Sequence, residues 1–309
     1  MQFLSYSDKA AVPGLNRNDL HEAEVLFPPL PEQRAIAHIL GTLDDKIELN
    51  RKKSEVLEGM ARALFKAWFV DFEPVRAKME GRWRQGEWLP GMPADLWDLF
   101  PDRLVPSELG EIPEGWGVKA LDEVADFVNG AACQRFPPKE GEPSLPVIKI
   151  RELNQGVTES SDRVCTNFPE KHRARDGDVL FSWSGSLQCQ IWTGGEGFVN
   201  QHVFRISSGG FPRWFYFYWT RYHLERFRRI AADKATTMGH IKRSHLAEAK
   251  VVVPRDRLVE GAGGAIEVLL DAKLLRLSES QQMAKSRDSL LPKLISGEIR
   301  VAPTEGPVD

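Results

Sequence analysis

Cysteine is scarce in this 309-residue chain, and its three copies, Cys133, Cys165 and Cys189, show no CxxC spacing. An odd, scattered set excludes a disulfide scaffold and a structural zinc site, and points to free thiols in a reducing compartment. Long apolar runs are missing as well. No stretch approaches the ~18 consecutive apolar residues a membrane span needs, and residues 1–30 carry no basic-then-apolar signal pattern. The expected setting is soluble and cytoplasmic, with no membrane partner. Neither sign of charge is in excess: 41 Lys and Arg face 44 Asp and Glu, a formal net charge of -3. This excludes a chain that coats nucleic acid through general basicity, while a local basic surface still fits inside a balanced total. Catalytic signatures are absent. There is no GxxxxGK[ST] phosphate loop, no [DNS]PP[YFW] clamp of the amino methyltransferases, and no HExxH or other ligand spacing among the seven histidines. GAGG at 261–264 lacks the spacing and preceding strand of a dinucleotide fingerprint. Asp176 and Asp178, in RARDGDVL, read as a turn leading into a strand. No catalytic residue, metal or cofactor of the chain's own is expected.

What is present is a repeat. Residues 12–28, VPGLNRNDLHEAEVLFP, are echoed by 238–254, MGHIKRSHLAEAKVVVP. Leu15 falls on Ile241, Arg17 on Arg243, Leu20 on Leu246, Ala23 on Ala249, Val25 on Val251 and Pro28 on Pro254. Solenoid units run to ~20–50 residues, so a period this long means a duplicated module. The chain holds one full copy and the tail of another.

A helical pattern follows each proline. Pro28, Pro29 and Pro31 end the preceding segment, and Glu32 starts a helix. Ile36, Leu40, Leu43, Ile47, Asn50, Ser54, Leu57, Ala61, Leu64 and Trp68 then fall at alternating steps of four and three. This is a heptad seam with two polar positions in its middle. At 1.5 Å per residue, 32–69 would make a rod of roughly 57 Å. The second copy keeps the alternation through Leu270, Leu274, Leu277, Gln281, Ala284, Asp288, Leu291 and Ile295. Pro292 is expected to kink or end that helix, with Gly297 as the cap if it does not. The two helices are expected to pair as an antiparallel coiled coil; the alternative is two core helices of a helical domain.

Between the rods, residues 74–116 carry six prolines together with Trp83, Trp88, Trp97 and Phe100. Aromatics at that density predict a strap packed on a neighbouring surface, since free linkers are poor in them. From Leu121 to Val253, short apolar alternations broken by glycine and proline (PVIKI, GDVLFSWSG, QCQIW, GFVNQHVFRI) predict five to seven strands. WFYFYWTRYHLERFRRIA at 214–231 has helical spacing.

The stretch from Arg205 to Lys250 holds ten basic residues (205, 213, 221, 226, 228, 229, 234, 242, 243 and 250) against Glu225, Asp233 and Glu248. Such a run reads either as a solvated face or as a phosphate-binding surface, for which Arg, Lys and Thr are the usual donors. Base edges are read by side chains with paired donors and acceptors, which the loops also contain. The candidate contacts are Arg135, Gln188, Gln190, Asn200, Gln201, His202, Thr236, Thr237, His240, Lys242 and Arg243. His202 and His240 read more readily as loop or core hydrogen-bonders than as ligands.

Four segments resemble the specificity (S) subunits of Type I restriction–modification enzymes: PPLPEQRAIAHILGTLDDKIELNRK (28–52), DLWDLFPDRLVPSELGEIPEGW (95–116), GDVLFSWSGS (177–186) and LLPKLISGEI (290–299). The resemblance covers nearly the whole chain. It implies an α+β fold, a mainly β target recognition domain with two long antiparallel coiled-coil helices. The expected layout is the remnant end of a first recognition domain at 1–30, a central conserved helix at 31–73, strap and recognition domain at 74–255, a distal conserved helix at 256–300 and a disordered tail at 301–309. Implied is a non-catalytic, sequence-specific reader of double-stranded DNA that directs N6-adenine methylation and restriction by partner methylation (M) and restriction (R) subunits, which alone use S-adenosylmethionine, ATP and magnesium. Helix pairing and partner contact would fall to Ile36, Leu40, Leu43, Ile47, Leu57, Leu64, Trp68, Leu270, Leu274, Leu277 and Leu291. The family carries two recognition domains, whereas Met1–Phe27 matches only the last turn of one. The chain is therefore expected to be a truncated remnant that still captures the methylation subunit, or a half-subunit whose homodimer restores two domains by two-fold symmetry.

Overall fold

Pro31 suits the first turn of a helix, where its missing N–H would have no partner in any case. In the computed structural model, which describes residues 27–233, 239–261 and 263–302, α1 (Leu30–Phe65) accordingly begins before Glu32. It runs into one π-helical turn, Lys66–Val70, closed by Asp71 N–H to Lys66 O at 2.8 Å. The wider turn places Phe65, Trp68 and Phe69 all inside the core. Phe72 then takes φ +57°, a left-handed backbone that non-glycine residues seldom adopt. Its buried ring meets Trp116 edge-on at 5.7 Å. Helix α2 (Glu73–Met79) follows.

The aromatic strap is packed as its composition predicts. Trp68 Nε1 donates to Gly91 O at 2.7 Å and Trp83 Nε1 to Glu87 O at 2.9 Å. Lys78 Nζ sits 3.9 Å from the Trp97 ring centroid and donates to the carbonyls of Trp97 and Phe100. Burial pushes this lysine's pKa down. A hairpin, β1 (Leu104–Ser107) and β2 (Gly110–Pro113), closes the strap.

Ten further strands follow: β3 (Gly117–Ala120), β4 (Asp126–Asn129), β5 (Ser144–Ile148), β6 (Arg163–Cys165), β7 (Arg173–Ala174), β8 (Val179–Ser182), β9 (Cys189–Ile191), β10 (Gly197–Val199), β11 (Val203–Ser207) and β12 (Lys250–Val253). Short helices α3 (Leu121–Val124) and α4 (Ile150–Gln155) interrupt them. Two four-stranded sheets result, ordered β6-β5-β10-β7 and β4-β11-β8-β9, and a two-stranded ladder joins β12 to β3. Nine of these strands lie within 121–253, more than the five to seven expected. Strands such as β6 and β7 are two or three residues long, too short to show an alternation.

Helix α5 (Arg213–Ala232) is buried continuously from Trp214 to Thr220. That first half, apolar on every side, belongs inside a core, while the second half turns Glu225, Arg228 and Arg229 to solvent. Rings of α5 engage Phe65 (Trp214, Tyr218, Trp219) and Phe181 (Phe227). Then come α6 (Arg243–Ala247), α7 (Asp256–Gly261) and α8 (Gly263–Ser296). A Cβ on Gly263 would lie 2.6 Å from Trp214 Nε1, so the backbone contact there requires glycine.

The chain divides into two compact units, and the division cuts each long helix instead of falling at its ends. The first comprises residues up to Lys52 and from Ser278 onward, the second Lys53–Leu277. In the first, α1 and α8 run antiparallel: Asn50 Nδ2 donates to Glu279 Oε2 at 3.2 Å, Arg287 bonds Asp44 at 2.6 Å, and Arg300 bonds Glu32 at 2.7 Å. Asn50 is fully buried, a polar seam residue of the kind that fixes helix register. Ile36 is buried, while Leu40, Leu43 and Ile47 are half-buried. Leu291 departs from the expected seam. It is exposed, as is Ile295, and Leu294 is buried instead. Helix α8 continues through Pro292 to Gly297 at φ +77°, where Ile299 N–H returns to Lys293 O and Val301 N–H reaches Glu32 Oε1. The chain thus folds back beside the start of α1, a local environment that helical period alone does not encode. The fold-back also ties down Val301, placed in sequence in a disordered tail; 303–309 lie outside the described residues.

In the second unit, Leu57, Leu64, Leu274 and Leu277 are half-buried, and Trp68 and Leu270 are buried. Glu58 joins three helices, bonding Arg221 of α5 at 2.5 Å and Lys273 of α8 at 2.7 Å. The cysteines are free. Burial pushes the Cys133 and Cys189 thiols up to about 11 and about 12. No described helix is long and apolar enough to cross a membrane, and no metal-binding cluster occurs among the described residues.

Candidate nucleic-acid interface

Sheet β4-β11-β8-β9 stacks Phe127, Phe181 and Phe204 on its core face. At one end of these strands, four connections converge on Trp183. The residues after β4 close onto the β10–β11 turn through Gly130 N–H to Val203 O and Ala131 N–H to Val199 O. A Cβ on Gly130 would lie 2.2 Å from Asn200 O, so the approach of these two backbones demands glycine. The β8–β9 loop bonds the same turn through Trp183 N–H to His202 O. It bonds the segment after α5 through Ile241 N–H to Trp183 O and Gly185 N–H to Gly239 O.

Side chains fill the junction these bonds create. The Trp183 ring lies 5.6 Å from His202 and 6.3 Å from His240, and its Nε1–H donates to Asn129 Oδ1 at 3.0 Å. His202 Nδ1 is 3.0 Å from Ser184 Oγ, and its Nε2 is 3.2 Å from Gln201 Nε2. Arg243, at the start of α6, donates to Phe127 O at 3.0 Å and lies 5.7 Å from the Phe204 ring centroid. Lys242 beside it is exposed. The arrangement is a polar-aromatic surface with hydrogen-bonding amides and imidazoles in its middle and cations on its flank. Amides, imidazoles, an indole N–H and flanking cations are groups suited to recognition through hydrogen bonds.

Of the residues singled out in sequence, Gln201, His202, His240 and Arg243 meet at this junction. Asn200 is there too, but buried, with its Oδ1 3.4 Å from the His202 amide nitrogen. Gln190 is committed elsewhere, donating to Leu153 O at 2.8 Å. Gln188 Nε2 is buried without a partner among the described residues, and Arg135 is exposed on a 3-10 turn, Cys133–Arg135. Thr236 and Thr237 lie outside the described residues. Asn129, Trp183 and Ser184 were not anticipated. The amide of FVNG at the end of an alternating strand was the available signal for Asn129.

The basic stretch looks different once folded. Arg205 pairs with Asp178, Arg213 with Glu267 and Asp271, Arg221 with Glu58, Arg226 with Glu248, and Arg228 with Glu225. Most of these carboxylates come from outside the stretch, so the apparent excess is largely neutralised within the fold. Arg229, Lys242 and Arg243 remain exposed and without a carboxylate partner among the described residues. A groove of about 530 Å³, lined by Gly185, Ser186, Leu187, Arg228, Ala231 and Gly239, runs beside the junction.

Comparison with known proteins places this architecture. The specificity subunit of the Type I restriction enzyme MjaIX from Methanocaldococcus jannaschii is 26% identical over 303 residues, 96% of this chain and 65% of the relative. The HindI specificity subunit of Haemophilus influenzae is 24% identical over 342 residues, 96% of this chain and 74% of the relative. The chain thus spans about two thirds of the length of the first of these relatives. A crystal structure of the Type I restriction–modification S subunit from M. genitalium shares the fold, with a TM-score of 0.50 and 16% identity over 94% of this chain and 68% of that one. The sequence pattern of the Type I restriction modification DNA specificity domain matches residues 2–59 and 113–257, which include α1 up to Gly59 and every strand from β3 to β12. With the S-subunit fold of paired long helices and a β-rich module, this match makes the chain a member of the Type I restriction modification DNA specificity domain family.

Proposed function

We propose that the chain is a sequence-specific DNA-recognition subunit of a Type I restriction–modification system. The loop junction around Trp183 meets base edges of double-stranded DNA, and Arg229, Lys242 and Arg243 hold the backbone. The paired helices dock the methylation subunit, and through it the restriction subunit. The methylation subunit supplies S-adenosylmethionine-dependent N6-adenine methylation, and the restriction subunit supplies ATP- and magnesium-dependent cleavage. Carrying this reading is the convergence of four chain connections that gather Asn129, Trp183, Gln201, His202, His240 and Arg243 on one rim of the β module. Positioning by phosphate contacts and selection by base contacts are separable roles, and the rim contains residue types for each. Paired with a second copy of this chain in a homodimer, the module would read a palindromic split target; paired with a different module, an asymmetric one.

The test is a gel shift of the chain assembled with its methylation subunit, on the motif recovered from methylated adenines in the host genome and on a scrambled duplex. Tight binding to the motif alone is expected. Arg243→Ala should weaken binding to every sequence and lower the salt slope by about 1. The competing reading is an assembly remnant that captures the methylation subunit without engaging DNA. The internal ion pairing of five arginines favours it, and retained capture of the methylation subunit with no binding to either duplex would establish it.

A further inference from the structure

Two amides at the junction are held with opposite ends committed. Trp183 Nε1–H donates to Asn129 Oδ1 at 3.0 Å. An indole nitrogen only donates, so the carbonyl end of Asn129 is engaged and its NH₂ group is left on an exposed residue. Gln201 Nε2 lies 3.2 Å from His202 Nε2. An amide nitrogen donates and does not accept, so the ring nitrogen is the acceptor. The His202 proton therefore sits on Nδ1, which donates to the buried Ser184 Oγ at 3.0 Å. Gln201, half-exposed, is left with its carbonyl oxygen. The other amides nearby offer no such choice: Gln190 is bonded to backbone and Asn200 is 4% exposed.

We propose that, within the DNA-reading role above, these commitments give the module a fixed donor–acceptor polarity. Asn129 donates to a base edge that carries acceptors, guanine N7 or O6 or thymine O4. Gln201 accepts from an exocyclic amine, adenine N6 or cytosine N4. His202 is a positioning residue: its unprotonated Nε2 decides which end of the Gln201 amide faces the base. Guanine, thymine and, through N7, adenine present acceptors in the major groove, while adenine and cytosine present amines, so the polarity selects a hydrogen-bond class and not a single base.

The experiment selects duplexes from a randomised library with the full chain assembled on its methylation subunit. Asn129→Asp keeps an oxygen for the Trp183 N–H and replaces both outward donors by an acceptor. Affinity for the wild-type motif should drop about fivefold or more, and the preference at one base pair should move from an acceptor-bearing to an amine-bearing edge. His202→Phe keeps a ring against Trp183 and removes the acceptor. It should blur preference at a second base pair only, and adding Gln201→Glu, which accepts without help, should restore it. A motif unchanged by Asn129→Asp, or a His202→Phe defect that spreads over the whole motif and resists rescue, overturns the proposal. A wild-type complex that enriches no motif overturns the DNA-reading role itself, a result distinguishable from either.

Discussion

Removing the charge of Glu58 should destabilise the second unit, because one carboxylate holds cations from two other helices. Its oxygens engage Arg221 Nη1 at 2.5 Å and Lys273 Nζ at 2.7 Å, and its side chain is only 13% exposed. Glu58→Gln preserves shape and leaves two partly buried cations flanking a neutral amide. At about 4 Å and an effective dielectric of about 20, each pair is worth about 4 kcal/mol of Coulomb attraction, much of it offset by desolvation. Stripping one partner from a buried pair costs about 3–5 kcal/mol. The Arg221 side chain is 30% exposed and so partly screened by water. A net loss of about 2–3 kcal/mol is therefore expected. Urea midpoints of the wild type, Glu58→Gln, Lys273→Met and the double variant give the measurement. The cycle should yield a coupling of about 1 kcal/mol or more. A loss below about 0.5 kcal/mol with no coupling would show that the three helices are held by their apolar contacts alone, and the reasoning would fail.

Three further outcomes follow from single observations. Burial holds His223 neutral, its pKa pushed down to about 4, with Nε2–H donating to Lys250 O at 2.9 Å. The unfolded chain protonates its histidines near pH 6.5, so it binds more protons than the folded state between about pH 6.5 and 4. Stability should fall by an amount on the order of 3 kcal/mol as pH drops through that window and level off below it; urea midpoints of His223→Phe should lose this dependence. Gly130→Ala places a Cβ 2.2 Å from Asn200 O, and should cost about 3 kcal/mol and abolish motif selection, measured by melting and by gel shift. Pro292 lies within α8, so Pro292→Ala restores a helical N–H and should raise stability by about 1–3 kcal/mol, read from the thermal midpoint.

How much the sequence reveals depends on how local the cause is. The long helices are legible because Ile36, Leu40, Leu43 and Ile47 keep their period without help from distant residues. The exchange of Leu291 for Leu294 at the covered face is not legible, because the heptad repeat places Leu291 on the seam; nor is the fold-back of Val301 onto Glu32, a contact across 269 positions. The strap is legible from its aromatics, whereas strands as short as β7 leave no alternation to read. The site divides the same way. Gln201, His202, His240 and Arg243 stand out as hydrogen-bonding or charged residues between strands. Asn129 and Trp183 acquire their roles only when β4 and the β8–β9 loop meet. Counting charge along the chain overstates the basic surface because Asp178, Glu58, Glu267 and Asp271, which neutralise Arg205, Arg221 and Arg213, are far away in sequence.

That neutralisation carries a quantitative consequence for DNA binding. If every excess cation between Arg205 and Lys250 met a phosphate, the stretch would make seven contacts. Counterion release would then lower affinity several-thousand-fold, on the order of 6 × 10³, between 50 and 200 mM salt. With Arg229, Lys242 and Arg243 alone, a slope of about −3 predicts a loss of only about 40-fold from this stretch. Removing cations one at a time separates the two cases even when the methylation subunit adds contacts of its own. Lys242→Gln and Arg229→Gln should each reduce the slope by about 1. Arg226→Gln should leave it unchanged, because Arg226 already pairs with Glu248 at 3.3 Å and donates to the Glu248 carbonyl. A slope that falls equally for all three would mean the internal pairs open on binding. DNA would then be held by the whole basic stretch, and affinity would rest on phosphate contacts far more than on the amides around Trp183.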